Sequence, residues 1–247
     1  MGFLLLSAGL SFVRLEMSMS RENSTGARIG VDIGGTFTDL VLSDGHGRTW
    51  FDKRPSTPVQ PEIAVLEGIA FLLKRADLRP GDLVEVLHGT TVGSNTLLQK
   101  TGARTGLITT RGFRDVLEIG RVRTPDMFDL QWDKPAPLVP RRLRREVAER
   151  IAADGAILQP LDEDELRDIG AVLAADGVES IAVCFINSFR NPVHEIRAEA
   201  VLRESYPDIA VTASVSVLAE MREYERTSTV VVNAYVLPIL QSYLRRL

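Results

Sequence analysis

Two apolar runs separated by a glycine-rich turn, residues 29–42, constrain the fold of this chain more than any other stretch. Apolar side chains alternate before the turn and resume after it, a pattern that predicts strand, tight turn, strand. Gly34 and Gly35 occupy the turn. Adjacent glycines permit positive φ angles and close approach of a ligand to the backbone. An ordinary Gly-Gly hairpin is the structural alternative.

The other residues of this turn favour a phosphate site with a bound cation. Free N–H groups beside threonine hydroxyls suit phosphate oxygens, and Asp32 at the strand end is placed to hold Mg²⁺ directly or through water. No G-x-G-x-x-G opens a helix here and no Gly-Lys-Ser/Thr follows, which excludes the dinucleotide fingerprint and the P-loop. The candidate cofactor-binding residues are Asp32, which is also the metal candidate, Gly34, Gly35, Thr36, Thr38 and Asp39.

The hairpin resembles the first phosphate hairpin of the actin-like and sugar-kinase ATPase superfamily. In detail, DIGGTFTD at 32–39 is similar to the hydantoinase/5-oxoprolinase family. Three later blocks follow in the family's order: HGTTV at 88–92, GLITTRGFRDVLEIGR at 106–121 and REYERTST at 222–229. The resemblance covers residues 28–247. It implies an α/β fold, an actin-like ATPase (ribonuclease H-like) lobe whose mixed sheet has an N-terminal antiparallel phosphate hairpin and covering helices.

The order of predicted elements agrees with such a lobe. Three antiparallel strands come first, and a later β-α-β-α-β order implies parallel strands covered by helices. Residues 28–220 form the predicted domain. Residues 1–27 are predicted to be a disordered or weakly helical extension, because their apolar run is too short to span a membrane. Residues 221–247 are predicted to begin a long apolar helix. The resemblance implies that this helix leads into a second lobe that is missing here. If the lobe is alone, the helix is expected to expose an apolar surface.

The block that begins at His88 supplies the candidate catalytic residues. A predicted strand runs into His88 and a helix follows, so polar loop groups and free helix N–H groups converge there. His88 is a candidate general acid/base or substrate donor, or it braces the loop by hydrogen bonds. Thr90, Thr91 and Asn95 are candidates for holding substrate or for capping the helix.

Charge and cysteine content limit the partners. A net charge of −4 argues against a protein that coats nucleic acid or acidic lipid, and the basic run at 141–145 is interpreted as a solvated face. The one cysteine, Cys184, lies in an apolar run and is expected to be a buried strand residue rather than a nucleophile. We expect a cytoplasmic protein with no nucleic-acid or membrane partner.

The resemblance implies an ATP-dependent enzyme, with ATP and Mg²⁺ as cofactors, that activates a cyclic amide by phosphoryl transfer. The expected reaction is hydrolytic ring opening of 5-oxoproline or a hydantoin. One alternative is a subunit of an ATP-dependent acetone- or acetophenone-type carboxylase, and another is a non-catalytic nucleotide-binding fragment that needs a partner lobe. The expected partners are a small cyclic amide and a companion lobe or B-type subunit. Glu225 and Arg226 are interpreted as a charge pair, either near the nucleotide cleft or purely structural.

Overall fold

The computed structural model describes residues 11–15, 26–57, 60–121 and 131–247, which fold into two compact units. The first unit comprises residues 1–100 and 240–247, and the second comprises residues 101–239.

The first unit is built on a mixed five-stranded sheet in the order β1-β5-β2-β3-β4. The consecutive strands β2, β3 and β4 pair antiparallel to one another, whereas β5 pairs parallel to β2. The predicted α/β class, with its N-terminal antiparallel hairpin in a mixed sheet, is therefore confirmed. The elements of this unit are β1 (Ser11–Leu15), β2 (Ala27–Ile33), β3 (Phe37–Ser43), β4 (Thr49–Pro55), α1 (Pro61–Ala76), β5 (Leu83–Thr90) and α2 (Val92–Gln99).

Strict alternation along β2 decides which face of this sheet is buried. Ile29, Val31 and Ile33 are buried against the core, while Arg28 and Asp32 point to the opposite face and are exposed. The buried face packs against α1 and against the final residues of the chain's last helix. The sheet of the first unit therefore has one core face and one outward face.

The second unit contains four parallel strands in the order β11-β10-β6-β7, together with a small antiparallel β8–β9 pair. Its strands are β6 (Thr105–Thr110), β7 (Arg144–Val147), β8 (Arg150–Ile151), β9 (Ile157–Gln159), β10 (Ser180–Cys184) and β11 (Ala210–Ala213). Its helices are α3 (Val116–Ile119), α4 (Glu163–Ala175), α5 (Val193–Ser205) and α6 (Glu223–Arg246), whose last residues belong to the first unit.

Every residue of β10 is buried, as expected for a central parallel strand covered on both faces. Cys184 at its end is a free, buried cysteine, so the sequence-based expectation for this residue is confirmed.

Three expectations differ from the structure. Ser11–Leu15, placed in a disordered or weakly helical extension, forms β1 and pairs antiparallel with β5, while residues 1–10 and 16–25 lie outside the described residues. Arg144, placed on a solvated face, is buried because its guanidinium donates to the Val139 carbonyl at 2.9 Å and to Glu118 at 2.8 Å. The apolar side chains of α6 are buried or half-buried rather than exposed.

Within the described ranges, none of the helices is both long and apolar enough to cross a membrane.

Cys184 should be unreactive in the folded protein. Burial raises the pKa of its thiol to about 11, so the reactive thiolate is scarce near neutral pH. Iodoacetamide at about pH 8 should leave the native chain unlabelled and label the urea-unfolded chain fully, as read by intact mass. Equal labelling rates for the two states would contradict the buried strand position.

Candidate functional site

The turn between β2 and β3 is held in place by Ser56, the residue that follows β4. Ser56 donates through Oγ to the Gly34 carbonyl at 2.8 Å and through its backbone N–H to the Thr36 carbonyl at 2.9 Å. Its hydroxyl also lies 3.0 Å from Thr38 Oγ1. The turn closes on itself where Gly34 N donates to Phe37 O at 2.9 Å. Sequence analysis missed Ser56, because nothing in its local pattern shows that it reaches back to the turn.

The two glycines of the turn leave room for close neighbours and do not adopt a left-handed backbone conformation. Neither Gly34 nor Gly35 adopts a left-handed φ, so the positive-φ expectation was wrong. A Cβ added at Gly34 would lie 3.1 Å from Phe37 O, and one at Gly35 would lie 3.3 Å from Asn95 Nδ2. Both distances are shorter than ordinary van der Waals contact, so a larger residue would displace its neighbour.

The start of α2 is tied to the end of β2, beside the glycine turn. Thr91 donates to the Ile33 carbonyl through its N–H at 3.1 Å and its Oγ1 at 3.0 Å, and Asn95 Nδ2 donates to Thr91 Oγ1 at 3.2 Å. Thr90 Oγ1 accepts from Val92 N at 3.1 Å, a local turn contact just before α2, whose N-cap Thr91 makes no side-chain capping bond. The structure thus brings Thr91 and Asn95 to the turn and gives Thr90 a structural role.

Two carboxylates face each other on the outward face of the sheet. The register pairs Asp32 of β2 with Asp39 of β3, and Asp39 with Lys53 of β4. Lys53 Nζ lies 2.9 and 3.1 Å from the two Asp39 carboxylate oxygens. The Asp32 carboxylate, by contrast, accepts no hydrogen bond from the described residues. Like charges directly opposite one another are destabilising. Lys53 offsets part of this repulsion at Asp39, and a cation bound at Asp32 would relieve the remainder.

His88 lies on the other face of the sheet. It is in register with Val31 and is buried, with Nε2 2.5 Å from the Tyr243 hydroxyl and a buried Nδ1 that has no partner in the described structure. Burial lowers the pKa of His88, while the charge of Asp32 opposes that shift. His88 therefore braces the core, and the structure does not bring it to the glycine turn. Thr38 likewise directs its side chain to the core face and is fully buried.

The interpretation of Glu225 and Arg226 as a charge pair was wrong. Glu225 pairs with Arg121 through two hydrogen bonds of 2.8 and 2.6 Å, while Arg226 is buried and donates to the Phe185 carbonyl at 2.6 Å and to Ser188. The physical reason is helical geometry, since consecutive residues on a helix do not face each other.

Arg226 belongs to a buried polar network that sequence analysis missed. At its centre Glu195 accepts from Phe185 N at 2.7 Å, from Ser214 Oγ at 2.8 Å and from Val215 N at 3.0 Å. Burial raises the pKa of Glu195 against these hydrogen bonds. The network joins the carboxyl ends of β10 and β11 to α5, which is a structural role in the second unit.

The chain is similar to known proteins in both sequence and structure. Residues 28–206 match the model of the hydantoinase/oxoprolinase N-terminal region. The chain is 38% identical to caprolactamase subunit alpha from Pseudomonas jessenii over 226 residues. It is 36% identical to the acetophenone carboxylase gamma subunit from Aromatoleum aromaticum over 231 residues, and 30% identical to 5-oxoprolinase 1 from Arabidopsis thaliana over 251 residues.

These alignments cover 89%, 87% and 88% of this chain but only 32%, 31% and 19% of the respective relatives. The crystal structure of ATP-dependent caprolactamase from Pseudomonas jessenii has a TM-score of 0.80 with this chain at 39% identity, covering 89% of this chain and 33% of that one. The chain therefore spans about a third or less of each of these relatives.

Protonation of His88 should reduce the stability of the fold. Because the pKa of His88 is lowered from its ordinary 6.5, the unfolded chain takes up this proton at a higher pH than the folded chain does. The stability contributed by neutral His88 is thus fully present above about pH 6.5 and is lost as the pH falls toward the lowered pKa. Urea unfolding at about pH 7.5 and about pH 5 measures the free energy of unfolding at each pH. The decrease in this free energy from the higher to the lower pH should be smaller for His88→Gln than for the unaltered protein.

His46 provides the control for this measurement, since it lies in the exposed turn between β3 and β4. His46→Gln should keep the pH dependence of the unaltered protein. An unchanged pH dependence in His88→Gln would mean that other groups carry it.

Proposed function

This chain belongs to the hydantoinase/oxoprolinase family, and we propose that it is the nucleotide-binding lobe of an ATP-dependent cyclic-amide hydrolase. The observation that supports this proposal is the facing pair Asp32 and Asp39 directly beside a braced glycine turn. Two relatives point the same way, since the caprolactamase of Pseudomonas jessenii is ATP-dependent and 5-oxoprolinase is named for a cyclic amide.

The proposed phosphate site consists of the turn and the carboxylate that precedes it. Gly35 and Thr36 would offer backbone N–H groups to the phosphates. Gly34 would order the turn, because its own N–H already donates to Phe37 O. Thr38 would order the turn through Ser56 rather than touch phosphate, because its hydroxyl lies in the core.

Mg²⁺ is proposed to bind at Asp32, with Asp39 as the adjacent carboxylate. The donor set fits this ion, since exposed carboxylate oxygens beside phosphate are typical magnesium ligands. Among the described residues no three His, Cys, Asp or Glu side chains gather into a metal cluster. Asp32 would therefore supply one or two ligand atoms, and phosphate oxygens and water would supply the remainder.

Bound MgATP supplies the phosphoryl group that makes a ring carbonyl more reactive, and the protein contributes position and charge. Thr91 and Asn95 would orient the transferring phosphoryl group or the substrate, because both lie at the start of α2 next to Gly35. His88 has no catalytic role in this proposal, because its ring is buried on the core face of the sheet. Most of the substrate-binding site and the remaining catalytic groups would come from a companion lobe or subunit.

A carboxylase subunit is the second candidate function. The chain is nearly as similar to the acetophenone carboxylase gamma subunit, at 36% identity, as to caprolactamase subunit alpha, at 38%. The proposed phosphate site serves either reaction, and turnover with a cyclic amide or with a ketone and bicarbonate distinguishes them. A lobe that binds nucleotide without turnover is the remaining alternative, and it would need its partner for any activity.

Asp32→Asn should abolish or strongly weaken MgATP binding measured by calorimetry. The substitution removes one of two facing charges, so Mg²⁺ loses its ligand while the strand keeps its shape. Asp77→Asn is the matched control, because it makes the same chemical change at an exposed position that ends α1. Equal affinity in the two variants, or no binding by the unaltered chain, would contradict a self-sufficient phosphate site at this turn.

Ser56→Ala should lower the stability of the fold and weaken MgATP binding together. The variant loses the side-chain hydrogen bond to Gly34 O, a contact worth about 1 kcal/mol, and the turn must then be ordered by the ligand. Thermal unfolding and calorimetry measure the two effects. A stability loss with unchanged affinity would show that the turn needs no brace to bind nucleotide.

A further inference from the structure

The outward face of the first unit's sheet carries an apolar row one position away from the carboxylates. The register aligns Leu87 of β5, Gly30 of β2, Val41 of β3 and Phe51 of β4 across the four strands. Leu87 is 43% exposed, Val41 38% and Phe51 67%. The opposite face of the same sheet is packed by α1 and the end of α6, so this sheet is covered on one face only by the described residues.

Polar rows border the apolar row on both sides. On one side lie Asp32, Asp39 and Lys53, and on the other Arg28 Nε lies 3.4 Å from Glu85 Oε2. A groove of about 680 Å³ runs over the apolar row and the carboxylate row together. An apolar centre with a polar rim is the anatomy of a protein–protein interface.

The face is too small to hold a separate protein by itself. Four strands about 4.8 Å apart and seven residues long give an area on the order of 300 Å². A stable interface between separate proteins buries about 800 Å² on each partner. A second copy of this chain therefore suits the face poorly. The face is better matched by a polypeptide that is also held elsewhere.

The relatives indicate which polypeptide that is. This chain spans 32% of caprolactamase subunit alpha and 31% of the acetophenone carboxylase gamma subunit, so roughly two thirds of each lie outside the matched region. The apolar side chains of α6 are already buried or half-buried, whereas the apolar row of this sheet is exposed directly beside the carboxylates.

We propose that the row Leu87–Gly30–Val41–Phe51 is the docking surface for the polypeptide that corresponds to the unmatched two thirds of these relatives. The proposal rests on the proposed function of the chain as one lobe. The docked polypeptide covers the apolar row with its own apolar side chains and meets Asp32 and Asp39 at its edge. Docking therefore closes one side of the proposed ion site.

The experiment uses the 247-residue chain and, as the probe, the part of Pseudomonas jessenii caprolactamase subunit alpha outside the matched region. Affinity is measured by calorimetry without nucleotide. The variant Leu87→Ser/Phe51→Ser should bind about tenfold or more weakly, since two apolar anchors are lost. The matched control is Leu66→Ser/Phe71→Ser on α1, where the side chains are 46% and 45% exposed, and its affinity should be unchanged.

Hydroxyl-radical footprinting of the unaltered chain tests the same surface without substitution. Adding the probe should protect Phe51 and Leu87 and leave Leu66 and Phe71 reactive. Equal effects of the two double variants, absence of binding by the unaltered chain, or protection elsewhere would each overturn the proposal. A dimer of the chain alone that Leu87→Ser/Phe51→Ser dissociates would overturn it in favour of a second copy.

The two proposals fail in distinguishable ways. Asp77→Asn should dock with full affinity, because Asp77 is exposed at the end of α1 and lies outside both rows of the sheet face. Docking without any MgATP binding would reject the nucleotide site alone, and MgATP binding without docking would reject this surface alone.

Discussion

Burial of one face of β2 against α1 is the constraint on which the candidate site depends. Ile29, Val31 and Ile33 fix the face of the sheet that meets the core, and the two-residue period of a strand then directs Asp32 to the other face. A slip of one residue would carry the carboxylate into the core. The parallel register with β5 applies the same rule to His88, which is why two residues of adjacent strands, both candidates by sequence, lie on opposite faces.

The turn itself is ordered by neighbours that lie close in space. Ser56 donates hydrogen bonds to two carbonyls of the turn, and Thr91, at the start of α2, donates to the carbonyl at the end of β2. The chain's own groups make these contacts, so binding a phosphate there would cost less conformational entropy than ordering a free loop. The glycines complete the arrangement by leaving room for Phe37 O and Asn95 rather than by permitting unusual φ angles.

Local patterns were sufficient to predict the antiparallel strands β2 to β4, the hairpin and the buried position of Cys184, because alternation and apolar runs indicate burial directly. They did not predict β1, which pairs with β5. They failed wherever a polar residue is buried with a distant partner. His88 depends on Tyr243, which is 155 positions later in the chain, and Arg226 depends on the carbonyl of Phe185. Arg144 looked like part of a solvated basic run for the same reason, since Glu118 and Val139 that satisfy it are not adjacent in sequence. Burial of such groups is decided by tertiary hydrogen bonds that no local pattern encodes.

The adjacency of the apolar row and the carboxylate row has an energetic consequence. Water over Asp32 and Asp39 screens their repulsion, and a polypeptide docked on Leu87 and Phe51 would remove part of that water. Lower screening raises the cost of two facing carboxylates and also strengthens their attraction for a divalent cation. Docking with the ion bound would then be favoured over docking without it. By linkage the docked polypeptide would raise the affinity for the ion by the same factor, so lobe assembly and nucleotide loading would support each other through one sheet face.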